Sequence, residues 1–133
     1  MKVIVDTAVW SLALRRHQGS RDQHVTLFHD LIVDNRVALL GAVRQEILSG
    51  IRHAEQFKRL KNHLRAFPNL ELFLEDYELA AEFFNVCRRK GVQGANTDFL
   101  ICAAATRRDY EILTTDKDFE IFSTHVPIVL AKV

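Results

Sequence analysis

Residues 2–7 read Lys-Val-Ile-Val-Asp-Thr, an apolar run that ends in a carboxylate and a hydroxyl. A short run rich in β-branched residues predicts a buried strand, and the polar pair Asp6-Thr7 predicts an immediate turn into a helix that Thr7 could cap. Burying a carboxylate at a strand end costs several kcal/mol unless a cation or a set of hydrogen-bond donors compensates it. Asp6 is therefore the first candidate functional residue.

The segments that follow alternate between helical and strand patterns. Apolar spacing predicts helices at 8–16, 22–33, about 53–67, from near 76 to a basic end at 88–90, and 98–108, with further helical segments after Gly41 and after 115–119. Apolar runs at 37–40, 111–114 and 126–130, with a less regular alternation at 69–74, predict strands. Gly19-Ser20 should break the first helix, and Asn96 or Thr97 should cap the one at 98–108.

Strands separated by helices predict a mainly parallel sheet of four to five strands with helices on both faces. No composition shift, low-complexity segment or internal repeat marks a linker. The expected fold class is α/β, a single three-layer, Rossmann-like domain over residues 1–133. The helix at 98–108 is so apolar that it should lie in the interior.

Composition narrows the class of protein without identifying it. The chain is 48% hydrophobic and 26% charged, which is ordinary for a globular protein and argues against disorder. A formal charge of +1 neither supports nor excludes a nucleic-acid partner. Cys87 and Cys102 read as reduced core thiols, and with no signal peptide or long apolar run the expectation is a cytoplasmic protein without a membrane partner.

Three further acids, Glu46, Asp98 and Asp116, stand at the edges of apolar segments as Asp6 does. Ligands bind outside the carboxyl ends of strands in an open parallel sheet, so Asp6 and Asp116 should meet there, with Glu46 and Asp98 in the first turns of nearby helices. Crowded carboxylates repel one another unless a cation is present, and oxygen ligands favour Mg²⁺ or Mn²⁺ together with a phosphate substrate. Taken singly, each acid could instead be a helix cap, a turn former or a surface residue.

Other site chemistries find no support in the sequence. The six histidines show no zinc-ligand spacing, and no Gly-Lys-Ser/Thr sequence marks a nucleotide triphosphatase. Basic residues such as Arg15, Arg59, Arg107 and Arg108 are expected mainly on solvated helix faces and last turns. Arg88, Arg89 and Lys90 are the first candidates for contacts with the phosphates of a substrate.

Four motifs together resemble those of the PIN-domain ribonucleases, and most closely the short VapC-type toxins of bacterial toxin–antitoxin pairs. They are Val-Ile-Val-Asp6-Thr7-Ala-Val-Trp10, Glu46-Ile-Leu-Ser-Gly50, Thr97-Asp98-Phe-Leu-Ile-Cys-Ala-Ala-Ala and Leu113-Thr114-Thr115-Asp116-Lys117-Asp118-Phe119. The resemblance covers essentially the whole chain. It implies an endoribonuclease that uses Mg²⁺ or Mn²⁺ to activate the attacking water, and that a cognate antitoxin neutralises.

The resemblance also assigns roles to residues. It implies catalytic roles for Asp6, Glu46, Asp98 and Asp116 and a metal-ligand set of Asp6, Asp98, Asp116 and Asp118. Asp118 is either a second-site ligand or a cap for the short helix after it, and Thr7 and Thr114 would support the ligands by hydrogen bonds. The implied partners are RNA, the antitoxin, and a second copy in a homodimer or larger toxin–antitoxin assembly.

Two other functions remain open at this point. A noncatalytic PIN-like module that binds RNA or protein would keep the acids for structure alone. A phosphate-transfer domain of the receiver or dehalogenase kind fits less well, because the first strand carries one Asp and not Asp-x-Asp or a preceding acidic pair.

Overall fold

A computed structural model describes residues 1–15 and 22–133. Its sheet contains β1 (Val3–Val5), β2 (Val37–Ala38) and β3 (Glu111–Leu113), in the spatial order β2-β1-β3. Both pairings are parallel, as the sequence predicts, with Val3 opposite Val37 and Val5 opposite Leu113. The central position of β1 puts its carboxyl end, and therefore Asp6, in the middle of one edge of the sheet.

The described residues form three strands, fewer than the four to five expected. Residues 69–74 and 126–130 each contribute a single parallel bridge, Asn69 with Leu39 and Leu130 with Ile112, so the sheet continues on both sides for one residue only. The segment at 69–74 is short because a helix already begins at Leu74. The mainly parallel α/β architecture stands, and the two expected outer strands are wrong.

Seven helices cover this sheet in the described residues. They are α1 (Thr7–Leu14), α2 (Gln23–Val33), α3 (Gly41–Ser49), α4 (Ala54–Leu64), α5 (Leu74–Arg89), α6 (Asn96–Arg108) and α7 (Asp118–Phe122). The expected end of the first helix at Arg16 and its break at Gly19-Ser20 lie outside the described residues. None of the helices is both long enough and apolar enough to cross a membrane, within the part of the chain that was described.

Two expected helix caps are wrong. Asp6 is the N-cap of α1, because its carboxylate accepts a hydrogen bond of 2.8 Å from the Thr7 N–H. Ala95, and neither Asn96 nor Thr97, is the N-cap of α6, where the carboxylate of Asp98 accepts from the Ala95 N–H at 3.0 Å. In both places an acid that faces the sheet edge also satisfies the backbone at the start of a helix.

The interior is formed by β1, β3 and α6, as the apolar sequence of α6 predicts. Six of its thirteen residues are fully buried, and Ile4 and Ile112 from the strands are also shielded from solvent. Cys87 and Cys102 are free, buried thiols, and burial raises the pKa of both, which agrees with their expected role in the core.

A buried ion pair fastens α5 to α6. Asp76 in the first turn of α5 has no solvent exposure, and its carboxylate accepts from Arg107 at 2.8 Å and from Arg108 at 2.7 and 2.9 Å. The Phe73 N–H donates to the same carboxylate at 2.7 Å. Arg107 and Arg108 lie in the last turn of α6, as the sequence predicts, and both guanidinium groups bind this buried carboxylate while remaining partly exposed.

Candidate active site

Asp6 lies at the carboxyl end of β1 with 5% of its surface exposed, and its backbone N–H donates to Leu113 O in β3 at 2.9 Å. Its Oδ1 accepts from the Thr7 N–H and its Oδ2 accepts from Thr114 Oγ1, each at 2.8 Å. Burial raises the pKa of the Asp6 carboxyl from 3.8 to about 6, and the charges of Asp98 and Asp116 add to that rise against the lowering effect of the two hydrogen bonds. Asp6 is thus a desolvated acid facing other acids.

Asp98 reaches the site from the first turn of α6. Burial raises its pKa, the hydrogen bond from Ala95 opposes that rise, and the charges of Asp116, Glu46 and Asp118 add to it. The loop before α6 is packed closely: a Cβ at Gly94 would lie 2.6 Å from the Phe122 ring and 2.9 Å from the Phe99 ring. Gly94 therefore lets the start of α6, and Asp98 with it, approach the core.

Asp116 and Asp118 follow β3 in the connection to α7. The Asp116 N–H donates to Thr114 Oγ1 at 2.9 Å, and Asp116 Oδ1 accepts from the Asp118 N–H at 2.9 Å. Because α7 begins at Asp118 and the carboxylate that bonds its first N–H belongs to Asp116, the expectation that Asp118 caps this helix is wrong. Asp118 is exposed, and its charge acts on Asp98.

Glu46 lies in the second turn of α3 and not in the first turn, as expected. Its side chain is exposed, and its Oε1 accepts a hydrogen bond of 2.6 Å from Thr7 Oγ1. Thr7 therefore links Glu46 to the start of α1, one residue from Asp6. Glu46 also acts electrostatically on Asp98, so the four expected acids surround one region.

The chemistry of this donor set fits a hard divalent cation. All the donors are carboxylate oxygens, Asp6 and Asp98 have raised pKa values, and a cation would relieve the repulsion among the acids. Asp98, Glu46 and Asp116 each use only one carboxylate oxygen in hydrogen bonds among the described residues. No three His, Cys, Asp or Glu side chains of residues 1–15 and 22–133 already stand close enough together to hold an ion, so binding requires the side chains to draw together.

No ion pair among the described residues joins the three basic candidates to the acids. Arg88 and Arg89 end α5 and Lys90 is its C-cap, followed by Gly91 with a φ of 76°. All three are exposed, and the Arg88 guanidinium lies 5.6 Å from the centroid of the Phe84 ring. They occupy the far end of α5 from Asp76, ahead of the loop that leads to Asp98.

Two clefts reach the acids, and neither follows from the sequence analysis. One has a volume of about 520 Å³ and includes Glu46 with Arg15 and Arg59, and the other has a volume of about 510 Å³ and includes Asp116 with Lys117. Arg15 and Arg59 read as ordinary solvated cations in sequence. In the sequence, only the position of Lys117 between Asp116 and Asp118 indicates that a cation borders the site.

A family profile for the PIN domain matches residues 3–123 of the chain. The chain belongs to the PIN-domain family. The matched segment contains every acid described above, from Asp6 to Asp118. A search of the curated proteins gives no match.

Solved structures share the same PIN fold at low sequence identity. VapBC2 from Rickettsia felis, bound to a DNA fragment from the promoter, is 18% identical with a TM-score of 0.76, covering 98% of each chain. DNA-bound VapBC from Salmonella typhimurium is 14% identical with a TM-score of 0.78, covering 98% of this chain and 97% of that chain. FitAcB from Neisseria gonorrhoeae is 16% identical with a TM-score of 0.75, covering 98% of this chain and 96% of that chain.

Proposed function

We propose that this PIN domain is a VapC-type toxin, an endoribonuclease that depends on Mg²⁺ or Mn²⁺ and is neutralised by a cognate antitoxin. The observation that carries the proposal is the burial of Asp6 at the carboxyl end of the central strand, because burial raises its pKa and the charges of Asp98 and Asp116 add to that rise. A structural role alone does not require acids that destabilise one another in this way.

Asp6, Asp98 and Asp116 are the proposed cation ligands, with Asp118 as a candidate for a second site. When bound, Mg²⁺ or Mn²⁺ would activate water and neutralise charge on a phosphodiester. Glu46 is a proposed catalytic residue at the border of this group, and Thr7 and Thr114 hold the carboxylates of Glu46 and Asp6 in place by hydrogen bonds.

The proposed partners follow from the VapC-type resemblance and the similar fold of VapBC and FitAcB proteins. An antitoxin would bind the toxin, and the pair would form a homodimeric or larger assembly. Arg88, Arg89 and Lys90 are proposed RNA contacts because they form an exposed cationic end of α5. Replacing the three by alanine should weaken RNA binding and leave metal affinity unchanged.

The test is cleavage of total RNA by the purified chain with Mg²⁺, with chelator, and after Asp98→Asn. We expect cleavage that chelator stops and that Asp98→Asn abolishes. Asp30→Asn is the matched control, because Asp30 is an exposed acid on α2 and undergoes the same chemical change. Melting curves must show that both variants are folded.

Full cleavage by folded Asp98→Asn would overturn the nuclease assignment. Absence of cleavage by the wild-type chain together with retained RNA binding would instead favour the noncatalytic module. Growth arrest on expression of the wild-type chain, and normal growth with Asp98→Asn, tests the toxin role separately.

A further inference from the structure

Two clefts are each lined by one acid of the candidate site. The first, here called the α4 cleft, is lined by α1, α3 and α4 and includes Glu46, Arg15, Arg59 and His63. The second, here called the C-terminal cleft, includes Thr114, Asp116, Lys117 and Lys132. Each cleft therefore contains one of the acids that border the site.

The order of the strands fixes the relative position of the clefts. Glu46 belongs to α3, which follows β2, whereas Asp116 follows β3. Since β1 lies between β2 and β3, Asp6 stands between Glu46 and Asp116 along the carboxyl edge of the sheet. Each cleft is lined by one acid, Glu46 or Asp116, whose charge raises the pKa of Asp98.

The arginine and lysine side chains of both clefts have no carboxylate partner among the described residues. In the described part of the chain, the ion pairs within 4.0 Å join Asp22 to His24 and Asp76 to Arg107 and Arg108. None of them involves Arg15, Arg59, Lys117 or Lys132, although Glu120 also lines the C-terminal cleft. These four side chains are available to an anion from outside the chain.

A single nucleic-acid strand matches this arrangement of charge. The acids at the centre repel phosphates, so a polyanion that crosses them needs cations on each side of the crossing. The α4 cleft also has apolar walls, including Ile47, Ile51 and Leu60, that suit the faces of unstacked bases. Both volumes lie within the usual range of ligand clefts, about 300–1,000 Å³.

We propose that the α4 cleft, the acidic centre and the C-terminal cleft form one track for single-stranded RNA. Arg15 and Arg59 hold phosphates on one side of the cleaved bond, and Lys117 and Lys132 hold phosphates on the other. The choice of RNA as the ligand of this track rests on the proposed function. The four cations of the track are additional RNA contacts, distinct from the basic end of α5.

The experiment measures binding separately from cleavage. A fluorescent single-stranded RNA is titrated with the purified chain in chelator, where cleavage does not occur, at several salt concentrations. Arg59→Ala and Lys117→Ala should each weaken binding severalfold and reduce the slope of log affinity against log salt by about 0.7, the value for one phosphate contact on a single strand. The double variant should lose about twice that slope.

Each variant has a lysine control outside the clefts. Lys58→Ala removes an exposed cation on α4 next to Arg59, and Lys2→Ala removes a cation at the opposite edge of the sheet from Asp6. Neither control should change affinity or slope. With Mg²⁺, the two cleft variants should raise the KM for RNA more than they lower kcat.

The possible results separate this inference from the proposed function. Normal affinity and slope in both cleft variants, with cleavage intact, would overturn the track and leave the nuclease standing; a cleft that holds a protein segment instead gives this result. If the wild-type chain binds RNA but does not cleave it, and the cleft variants bind more weakly, the track is supported and the nuclease assignment is overturned. A wild-type chain that binds no RNA would overturn both.

Discussion

Thr114 donates a hydrogen bond of 2.8 Å to Asp6 Oδ2 across 108 positions of the chain. The same hydroxyl oxygen accepts the Asp116 N–H at 2.9 Å. One side chain at the end of β3 thus fixes a buried acid at the end of β1 and the backbone of a second acid. This relationship makes Thr114 a positioning residue of the candidate site.

Replacing Thr114 tests that role. Thr114→Val keeps the shape of the side chain and removes both hydrogen bonds, so RNA cleavage should fall about 10- to 100-fold, the usual effect of losing a group that orients a ligand. Thr114→Ser keeps the hydroxyl and should retain most of the activity. Cleavage rates and Mg²⁺ dependence measure the effect, and equal rates for Val and Ser would contradict it.

Asp6→Asn should stabilise the protein in chelator at pH 8. The folded-state pKa of Asp6 is raised from 3.8 to about 6, so its contribution to stability is fully present below about pH 4 and is lost as the pH rises through 6. Asparagine carries no charge, and the gain above pH 6 should reach at most about 3 kcal/mol. Urea unfolding at pH 8 and pH 4.5 measures this, and the difference between the proteins should shrink at the lower pH.

With Mg²⁺ in place of chelator, the wild-type protein should be more stable than Asp6→Asn. A cation bound by the folded wild-type chain raises its stability by mass action, and Asp6→Asn should lose most of this increment. A melting temperature that Mg²⁺ raises equally in both proteins would place the cation elsewhere.

Asp76→Asn should destabilise the fold. Removing one partner of a buried ion pair leaves buried charge uncompensated and costs about 3–5 kcal/mol, and the lower end applies because Arg107 and Arg108 are partly exposed. Glu75→Gln, at the exposed neighbouring position in the first turn of α5, is the control and should change the unfolding free energy by less than about 0.5 kcal/mol.

Low pH should remove the contribution of the same ion pair to the stability of the wild-type protein. The hydrogen bonds from Arg108 hold the pKa of Asp76 well below its usual value of 3.8, with the Phe73 N–H and Arg107 adding to the effect. A carboxyl group whose pKa is lower in the folded state stabilises the fold above about pH 4, and that contribution is lost as the pH falls further. The stability difference between the wild type and Asp76→Asn should therefore narrow below pH 4, and a constant difference would refute the assignment.

Gly94→Ala should damage both stability and cleavage. The new methyl would lie 2.6 Å from the Phe122 ring and 2.9 Å from the Phe99 ring, both in the core, so the loop or the helices must shift. Overpacking of this kind costs about 1–3 kcal/mol, and the shift would move Asp98 at the start of α6. Gly50→Ala is the stability control, because no atom lies within 4 Å of a Cβ there.

Local patterns predict the parts of this fold that depend on neighbours in sequence. The strand before Asp6, the interior helix that begins near Asp98 and the glycine stop at Gly91 all follow from apolar spacing and turn chemistry. The gathering of the acids at one edge follows from the rule for parallel sheets, once the strands are assigned.

Long-range contacts explain most of what the sequence does not show. Asp76 and Arg108 are 32 positions apart, and nothing near either residue marks their pairing. The expected strand at 69–74 is reduced to one bridge because strand length depends on pairing partners as well as on local propensity. The sequence allows either Asp6 or Thr7 as the cap of α1, because both side-chain types are favoured there, and only the geometry decides between adjacent residues.

The hydrogen bond between Asp6 and Thr114 can form only late in the synthesis of the chain. A ribosome that has added Asp6 must add 108 more residues before Thr114 exists, which at usual rates of synthesis takes roughly 5 to 20 s. Throughout that interval, α1 to α5 are synthesised while the acidic centre has neither Thr114 nor Asp116. A partner that recognises those earlier helices can bind the growing chain before the centre is complete.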